Sequence, residues 1–363
     1  MKKIIFVHLL NDFSGSPKVL SQVIKTANEK GFDVELFTGK GGTGFLMNLV
    51  KKHNFYFYKR FDNKFGTLFS FIVSQVHLFF KILKFRKENA AIYVNTLLPF
   101  GAALAGKLIN KEVIYHIHET SIRPQLLKKF LRWTVKKTAS KIIFVSNSLR
   151  EEEKFENIKE YTIYNAISND FLNDARNNSF SPFNTNKKFK VLMICSLRLY
   201  KGISEFLEIA EKCKEYKMIE FQLILNAEQN EVKTFFNELE YSSNLNILSK
   251  QKDIKPFYKE VSLVINLSRI DEWVETFGLT IIEAMANGIP VIVPPVGGPS
   301  EIVHDGVEGY LISSYHTELI SKKIIELSKS SELWTQLSSN AKNRVHDFNE
   351  QIFEEKILNC IYE

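Results

Sequence analysis

Short apolar runs that read as buried strands alternate with stretches of helical period along most of this chain. Residues 3–9 are such a run, and a polar turn follows at 11–15. Ser16 is suited to cap a helix there, with Pro17 at its first position. The helical period lasts to about Lys30, Gly31 ends it, and 33–37 is the next strand. Strands at 91–97 and 112–118 flank a small-residue helix at 100–110, and strands at 141–147 and 161–166 complete this half. Residues 173–188 are rich in Asn and Ser, carry Pro182, and read as a linker. A new β-α-β pattern starts at 189–197, with further strands at 221–225, 245–248, 261–267, 290–293 and 309–313. Helices follow from about Thr317, the last at 349–361. Alternation of this kind builds α/β domains with doubly wound parallel sheets, whose ligands bind beyond the strands' carboxyl ends. The expected division is 1–172, the linker 173–188, then 189–346, with a terminal helix at 347–363.

Composition narrows the class. The chain has 363 residues, and its 45% hydrophobic content is enough for two cores. Its three cysteines have no metal-ligand spacing, which fits reduced thiols in the cytoplasm. The first residues run straight into a strand and do not resemble a signal peptide. A net charge of +7 permits nucleic acid, anionic lipid or phosphorylated substrates. No helix-turn-helix, zinc or RNP pattern occurs, which argues against nucleic acid. The 30 phenylalanines point instead to apolar or interfacial contacts.

Two segments locate those contacts. Residues 66–86 are the most apolar stretch, but Ser70, Ser74, Gln75, His77 and Lys81 interrupt it, so it reads as an amphipathic helix rather than a span. Residues 124–138 form a second basic-aromatic helix, with Leu127, Phe130, Leu131 and Val135 on one face and Trp133 beside it. The first reads equally as a buried domain helix with a solvated basic end, and the alternative for the second is a surface helix whose lysines are solvated. Together they favour a peripheral membrane surface. The glycines at 39–44 fit neither the P-loop nor the dinucleotide pattern and read as a flexible turn.

Candidate chemistry concentrates in 269–312. Glu275 precedes a helix that begins after Gly278, and Glu283 lies about two turns inside. The amides of Gly278, Leu279 and Thr280, beside Phe277, form an anion site at the helix start. Two carboxylates for hydroxyls and amides for phosphate suit the layout of a nucleotide-sugar.

Glu275 to Ile292 matches, nearly residue for residue, the run E-x-F-G-x-x-x-x-E-A-M-A-x-G-x-P-V-I. Here the chain resembles the retaining glycosyltransferases of family 4. The resemblance implies a GT-B fold, two Rossmann-like domains facing across a cleft, with the terminal helix packing back on the first. It implies that Arg198 and Lys201, in Arg198-Leu199-Tyr200-Lys201-Gly202, clamp the donor diphosphate. Glu275 would hold the sugar hydroxyls and Glu283 the ribose. His118 would touch the donor sugar, and Gly15 would let the first loop approach the phosphates. Ser16 and Ser196 stand where relatives carry glycine, as does Asn226-Ala227-Glu228 near the base. The implied reaction is metal-independent transfer, with retention, from a UDP- or GDP-linked sugar to a lipid-linked saccharide of a bacterial surface polysaccharide, on the inner face of the cytoplasmic membrane. No Asp-x-Asp occurs, and no cofactor is expected. Alternatives are a GT-B sugar-nucleotide epimerase and a non-catalytic binding subunit.

Overall fold

The apolar runs become two parallel sheets. The computed structural model describes residues 2–176, 182–183, 188–237 and 239–363. They divide into one unit of Met1–Asn165 with Gln351–Glu363, and a second of Ala166–Glu350.

The first unit runs β1 (Lys3–Val7), α1 (Gly15–Glu29), β2 (Asp33–Gly39), β3 (Lys52–Tyr56), α2 (Lys64–Leu83), β4 (Ala90–Asn95), α3 (Phe100–Leu108), β5 (Glu112–Ile117), α4 (Gln125–Thr138), β6 (Lys141–Phe144), α5 (Asn147–Glu153) and β7 (Lys159–Thr162). Its seven strands lie in the order β3-β2-β1-β4-β5-β6-β7, all parallel. β1 and β4 are buried along their whole length, as central strands of a sheet covered on both faces must be. Strand order reverses between them, which opens a crevice at their carboxyl ends.

The second unit runs α6 (Asn169–Arg176), β8 (Phe189–Cys195), α7 (Ile203–Lys212), β9 (Ile219–Leu225), α8 (Gln229–Phe236), β10 (Leu245–Leu248), α9 (Lys255–Tyr258), β11 (Leu263–Ile265), α10 (Leu279–Ala286), β12 (Val291–Val293), α11 (Pro299–Ile302), β13 (Gly309–Leu311), α12 (Thr317–Lys329) and α13 (Ser331–Arg344). Its sheet is β10-β9-β8-β11-β12-β13, again parallel, with the reversal between β8 and β11. The last helix, α14 (Glu350–Tyr362), groups from Gln351 onward with the first unit. There Lys141 donates to the Cys360 carbonyl at 2.9 Å, and the rings of Phe32 and Tyr362 lie 5.5 Å apart.

Several expected boundaries move. α1 starts at Gly15, with Ser14 rather than Ser16 at the cap. The Ser14 side chain and amide both turn to Asp12 Oδ1, at 2.5 and 2.9 Å. Pro17 is tolerated one turn in because first-turn N–H groups have no helical partner. The strand expected at 161–166 is β7, Lys159–Thr162. Its neighbour β6 ends at Phe144, whose carbonyl accepts from Ile163 N at 2.9 Å, and the pairing goes no further. The edge strand β3 carries Lys52, His53 and Asn54 and has no apolar run to announce it. Of the expected linker, 173–176 finish α6, which buries Phe171, Leu172 and Ala175; residues 177–181 and 184–187 lie outside the described residues.

The glycine-rich turn has a packing role. A Cβ on Gly42 would fall 2.4 Å from the Asn11 carbonyl oxygen, and one on Gly44 would fall 2.2 Å from that of Asp12. Only glycine lets this segment lie against the loop that leads into Gly15.

Candidate active site

In the second unit, the site is built by the loops after β8 and β11, the two strands at the reversal. After β8 the chain passes Arg198, makes a 3₁₀ turn at Leu199–Lys201, and enters α7 through Gly202 at φ 81°. A Cβ there would sit 2.2 Å from the Leu267 carbonyl oxygen, so glycine brings Lys201 hard against the end of β11. Lys201 Nζ then lies 2.7 Å from Glu275 Oε2 and 3.4 Å from Ser268 Oγ. The two charged side chains are only 15% and 19% exposed.

Burial alone would push the Glu275 carboxyl up. The Lys201 charge, with hydrogen bonds from Lys201, Asn266 and Ser268, more than offsets this and holds the carboxyl below its ordinary value. Glu275 is thus a fixed anion and ill suited to carry a proton. Burial pushes the neighbouring Cys195 thiol up to about 12, which keeps it protonated and removes it as a nucleophile. Tyr200 and Trp273 stack 4.8 Å apart at 12° beside the pair, with Lys201 Nζ 5.7 Å from the Trp273 ring centre.

Beyond Glu275 the chain turns through Gly278, at φ 101°, into α10. Leu279 and Thr280 occupy the first turn, where backbone N–H groups lack helical partners. The Phe277 ring is buried and stands 5.8 Å from that of Phe348, so this residue can offer a ligand its backbone only. The loop after β12 buttresses the turn: Gly298 N donates to the Glu275 carbonyl at 2.9 Å. A Cβ on Gly297 would lie 2.4 Å from that same oxygen, and one on Gly298 would lie 2.3 Å from the Thr276 carbonyl oxygen.

The structure therefore brings Lys201, Glu275 and the start of α10 together. Arg198 stands three residues away, exposed, with no side-chain ion pair among the described residues. Glu283 is buried and accepts a 2.8 Å hydrogen bond from Tyr258, itself fully buried. Sequence reasoning missed Asn266, Ser268, Tyr200, Trp273 and Tyr258. The first four flank the named residues within the same two loops, and that adjacency was the available signal. Tyr258 is 25 residues from Glu283 and had none.

In the first unit, Gly15 opens α1 and His118 follows β5. His118 Nε2 lies 2.9 Å from Asn95 Oδ1. The Asn95 amide nitrogen donates to the Ser16 carbonyl at 3.2 Å, which orients its oxygen toward His118 and places the imidazole proton on Nε2. His116 is fully buried, 2.8 Å from the Tyr93 hydroxyl, and its ring lies 4.2 Å from that of His118. Burial lowers all three nearby histidines, His8 to about 4 and His116 to about 3, with His118 well below its usual value, so each is neutral at pH 7. Glu119 alongside is pushed up to about 7 by burial, and its Oε2 has no hydrogen-bond partner among the described residues.

Residues 174–344 match the family model described as Glycosyl transferases group 1. This region belongs to the group 1 glycosyl transferases. The chain is similar to N-acetyl-alpha-D-glucosaminyl L-malate synthase of Bacillus anthracis, 26% identical over 99% of this chain and 95% of that one. A sucrose synthase of Denitrovibrio acetiphilus is 35% identical over 23% of this chain but only 11% of its own length. The structure of Anabaena Alr3699/HepE in complex with UDP and glucose matches at a TM-score of 0.81, with 18% identity and 99% coverage of both chains. The fold is that of the GT-B glycosyltransferases: two Rossmann-like parallel sheets with their helices. Lys201, Glu275 and the start of α10 all fall inside the group 1 region.

Proposed function

We propose that this protein transfers a glycosyl unit from a nucleoside diphosphate sugar to a hydroxyl of a lipid-linked saccharide, with retention and without a metal. The observation that carries the reading is the Lys201–Glu275 pair set against the start of α10. Departure of a diphosphate builds negative charge, and only preorganised groups stabilise it without reorganisation. Lys201, Arg198 and the α10 amides supply that charge stabilisation. Glu275, held as an anion, accepts hydrogen bonds from sugar hydroxyls and orients the ring, while Glu283 serves the ribose. Retention follows if the acceptor hydroxyl attacks from the leaving-group face and passes its proton to the departing phosphate oxygen, so no protein base is needed. A UDP-linked donor is favoured by the UDP and glucose held in the similar Anabaena structure.

The lipid-linked acceptor, of the kind used in bacterial surface polysaccharide assembly, is supported by α2, which exposes Phe65, Phe69 and Phe80 and so suits work at the inner face of the cytoplasmic membrane. Incubation with a panel of UDP-, GDP- and dTDP-sugars, read by diphosphate release and by product mass, tests the assignment. Release of nucleoside diphosphate that disappears in Glu275→Ala is the expected result. Full activity of Glu275→Ala would sink the site, and conversion of the donor to an epimer without release would replace transfer with epimerisation.

A further inference from the structure

α2 is built inside out. Its buried face carries Ser70, Ser74 and Gln75 alongside Phe71, Leu78 and Ile82. Those polar groups tie the helix to its own unit: Ser70 Oγ accepts from Lys59 N at 2.9 Å, and Gln75 Oε1 from Gly101 N at 3.1 Å. The opposite face exposes Phe65 at 87%, Phe69 at 70%, Phe80 at 65% and Val76 at 52%, with Ile72 and Val73 between them. The spacing of these positions by three, four and seven residues puts them in one stripe. Taking a phenylalanine as ~200 Å² and scaling by these exposures, the three phenylalanines alone present roughly 450 Å², and Ile72, Val73 and Val76 carry the patch above the few hundred Å² usual on a soluble surface.

The patch continues sideways. α2 packs on α3, and α3 on α4. The Phe100 ring lies 5.8 Å from Phe71 on one side and 5.0 Å from Phe130 on the other. α4 adds exposed Leu126, Phe130 and Trp133. Right-handed crossovers place α2, α3 and α4 on the same face of the sheet, because each leads to a strand on the same side of its predecessor.

The charge on these helices selects the occupant. α2, α3 and α4 contain no Asp or Glu. Exposed among their cations are Lys64, Lys107, Lys129, Lys136 and Lys137. A second copy of the chain docked through this face would set cation against cation with no carboxylate to relieve it. An anionic bilayer offers what the face lacks, negative charge at its surface and hydrocarbon just beneath.

We propose that the α2–α4 face docks flat on an anionic lipid bilayer, with Phe65, Phe69 and Phe80 inserted below the headgroups and the α4 lysines resting on them. By length and hydropathy Lys64–Lys87 could cross a membrane. Its polar residues are instead buried and hydrogen-bonded to the rest of the unit, so it lies on the bilayer. The proposal rests on the membrane reading above and specifies the surface that performs it.

The test is flotation of the full chain with vesicles of phosphatidylglycerol and phosphatidylcholine, compared with pure phosphatidylcholine. The wild type floats with the anionic vesicles. The combined variant Phe65→Ser, Phe69→Ser, Phe80→Ser partitions at least tenfold more weakly while keeping its thermal midpoint and donor hydrolysis. Lys129→Gln, Lys136→Gln and Lys137→Gln each weaken binding about fivefold, and added salt also weakens it. Brominated lipid quenches Trp133 fluorescence in the wild type, with Trp133→Phe as the blank. A wild type that floats with no vesicle overturns the membrane reading itself. A wild type that floats together with an unimpaired phenylalanine variant overturns only this surface. A dimer that the phenylalanine variant dissociates makes the face a self-association interface and also overturns it.

Discussion

Replacing Glu275 by Gln keeps shape and removes charge, and so separates two roles of one side chain. At 2.7 Å from Lys201 Nζ, the pair's Coulomb energy is about 6 kcal/mol at an effective dielectric of about 20. That is a ceiling, because desolvating both ions opposes it and 15–19% exposure lets water screen it. Breaking fully buried pairs costs about 3–5 kcal/mol, so about 2–3 kcal/mol is expected here. In a chain divided into two units of this size the thermal midpoint should fall by roughly 5–10 °C. Lys201→Met should be at least as damaging, since it strands a carboxylate in a site that alone would push its pKa up. The double variant should recover part of the loss, with a coupling of about 1–2 kcal/mol in a double-mutant cycle read by chemical denaturation. The folded carboxyl titrates below its unfolded value near 4.5. The coupling is therefore present above that value and fades as the pH falls through the folded one. Transfer by Glu275→Gln should drop about 10²–10³-fold, the loss typical of one preorganised polar group. Zero coupling at pH 7 would refute the electrostatic account, and undiminished transfer would refute the role given to Glu275.

Other perturbations probe separate parts of the site. Arg198→Ala should leave the thermal midpoint unchanged, because the side chain is exposed and makes no ion pair among the described residues, yet raise the donor Kd and lower the rate together; calorimetric titration with UDP checks it. Gly298→Ala should abolish transfer and lower the midpoint, since its Cβ would lie 2.3 Å from the Thr276 carbonyl oxygen and force the Glu275 turn to shift; unchanged donor affinity would count against a rigid turn. Burial raises the Glu119 carboxyl to about 7, so its favourable contribution is complete below about 4.5 and lost as the pH rises through 7. The stability of Glu119→Gln relative to wild type should accordingly grow by up to about 3 kcal/mol between pH 4.5 and pH 8, measured by denaturation at both.

The α/β alternation was legible because parallel strands covered on both faces must be apolar throughout, as at Ile4–Val7 of β1 and at β4. β3 was not legible because an edge strand can carry Lys52, His53 and Asn54 without penalty. Glu275 and the start of α10 were legible because carboxylate, glycine and helix lie within a dozen residues. The partnership of Glu275 with Lys201 spans 74 residues, and only the sheet order explains why the loops after β8 and β11 meet. The glycines at 297 and 298 stand in a plain turn in the sequence; their need appears only when the backbone of Glu275 to Phe277 is seen passing within contact distance. In α2 the interruptions at Ser70, Ser74 and Gln75 marked an amphipathic helix rather than a span, but the sequence did not say which side they take. Hydrogen bonds to neighbouring backbone and side chains made them the dry side.

This inversion changes how substitutions in α2 should be scored. Ordinary hydropathy rules treat a polar-to-apolar change at Ser74 as harmless and the reverse change at Phe69 as ruinous. Here Ser74 is fully buried, with its hydroxyl bonded to the Phe71 carbonyl, while Phe69 is mostly exposed. A deep mutational scan read by folding alone should tolerate polar residues at 65, 69, 72, 76 and 80, and reject bulky apolar ones at 70 and 74. A scan read by growth on a membrane-dependent phenotype should reject polar residues at the first set as well, and agree with the folding scan at the second. The difference between the two tolerance maps would trace the docking stripe, residue by residue, without a lipid ever being added to the purified protein.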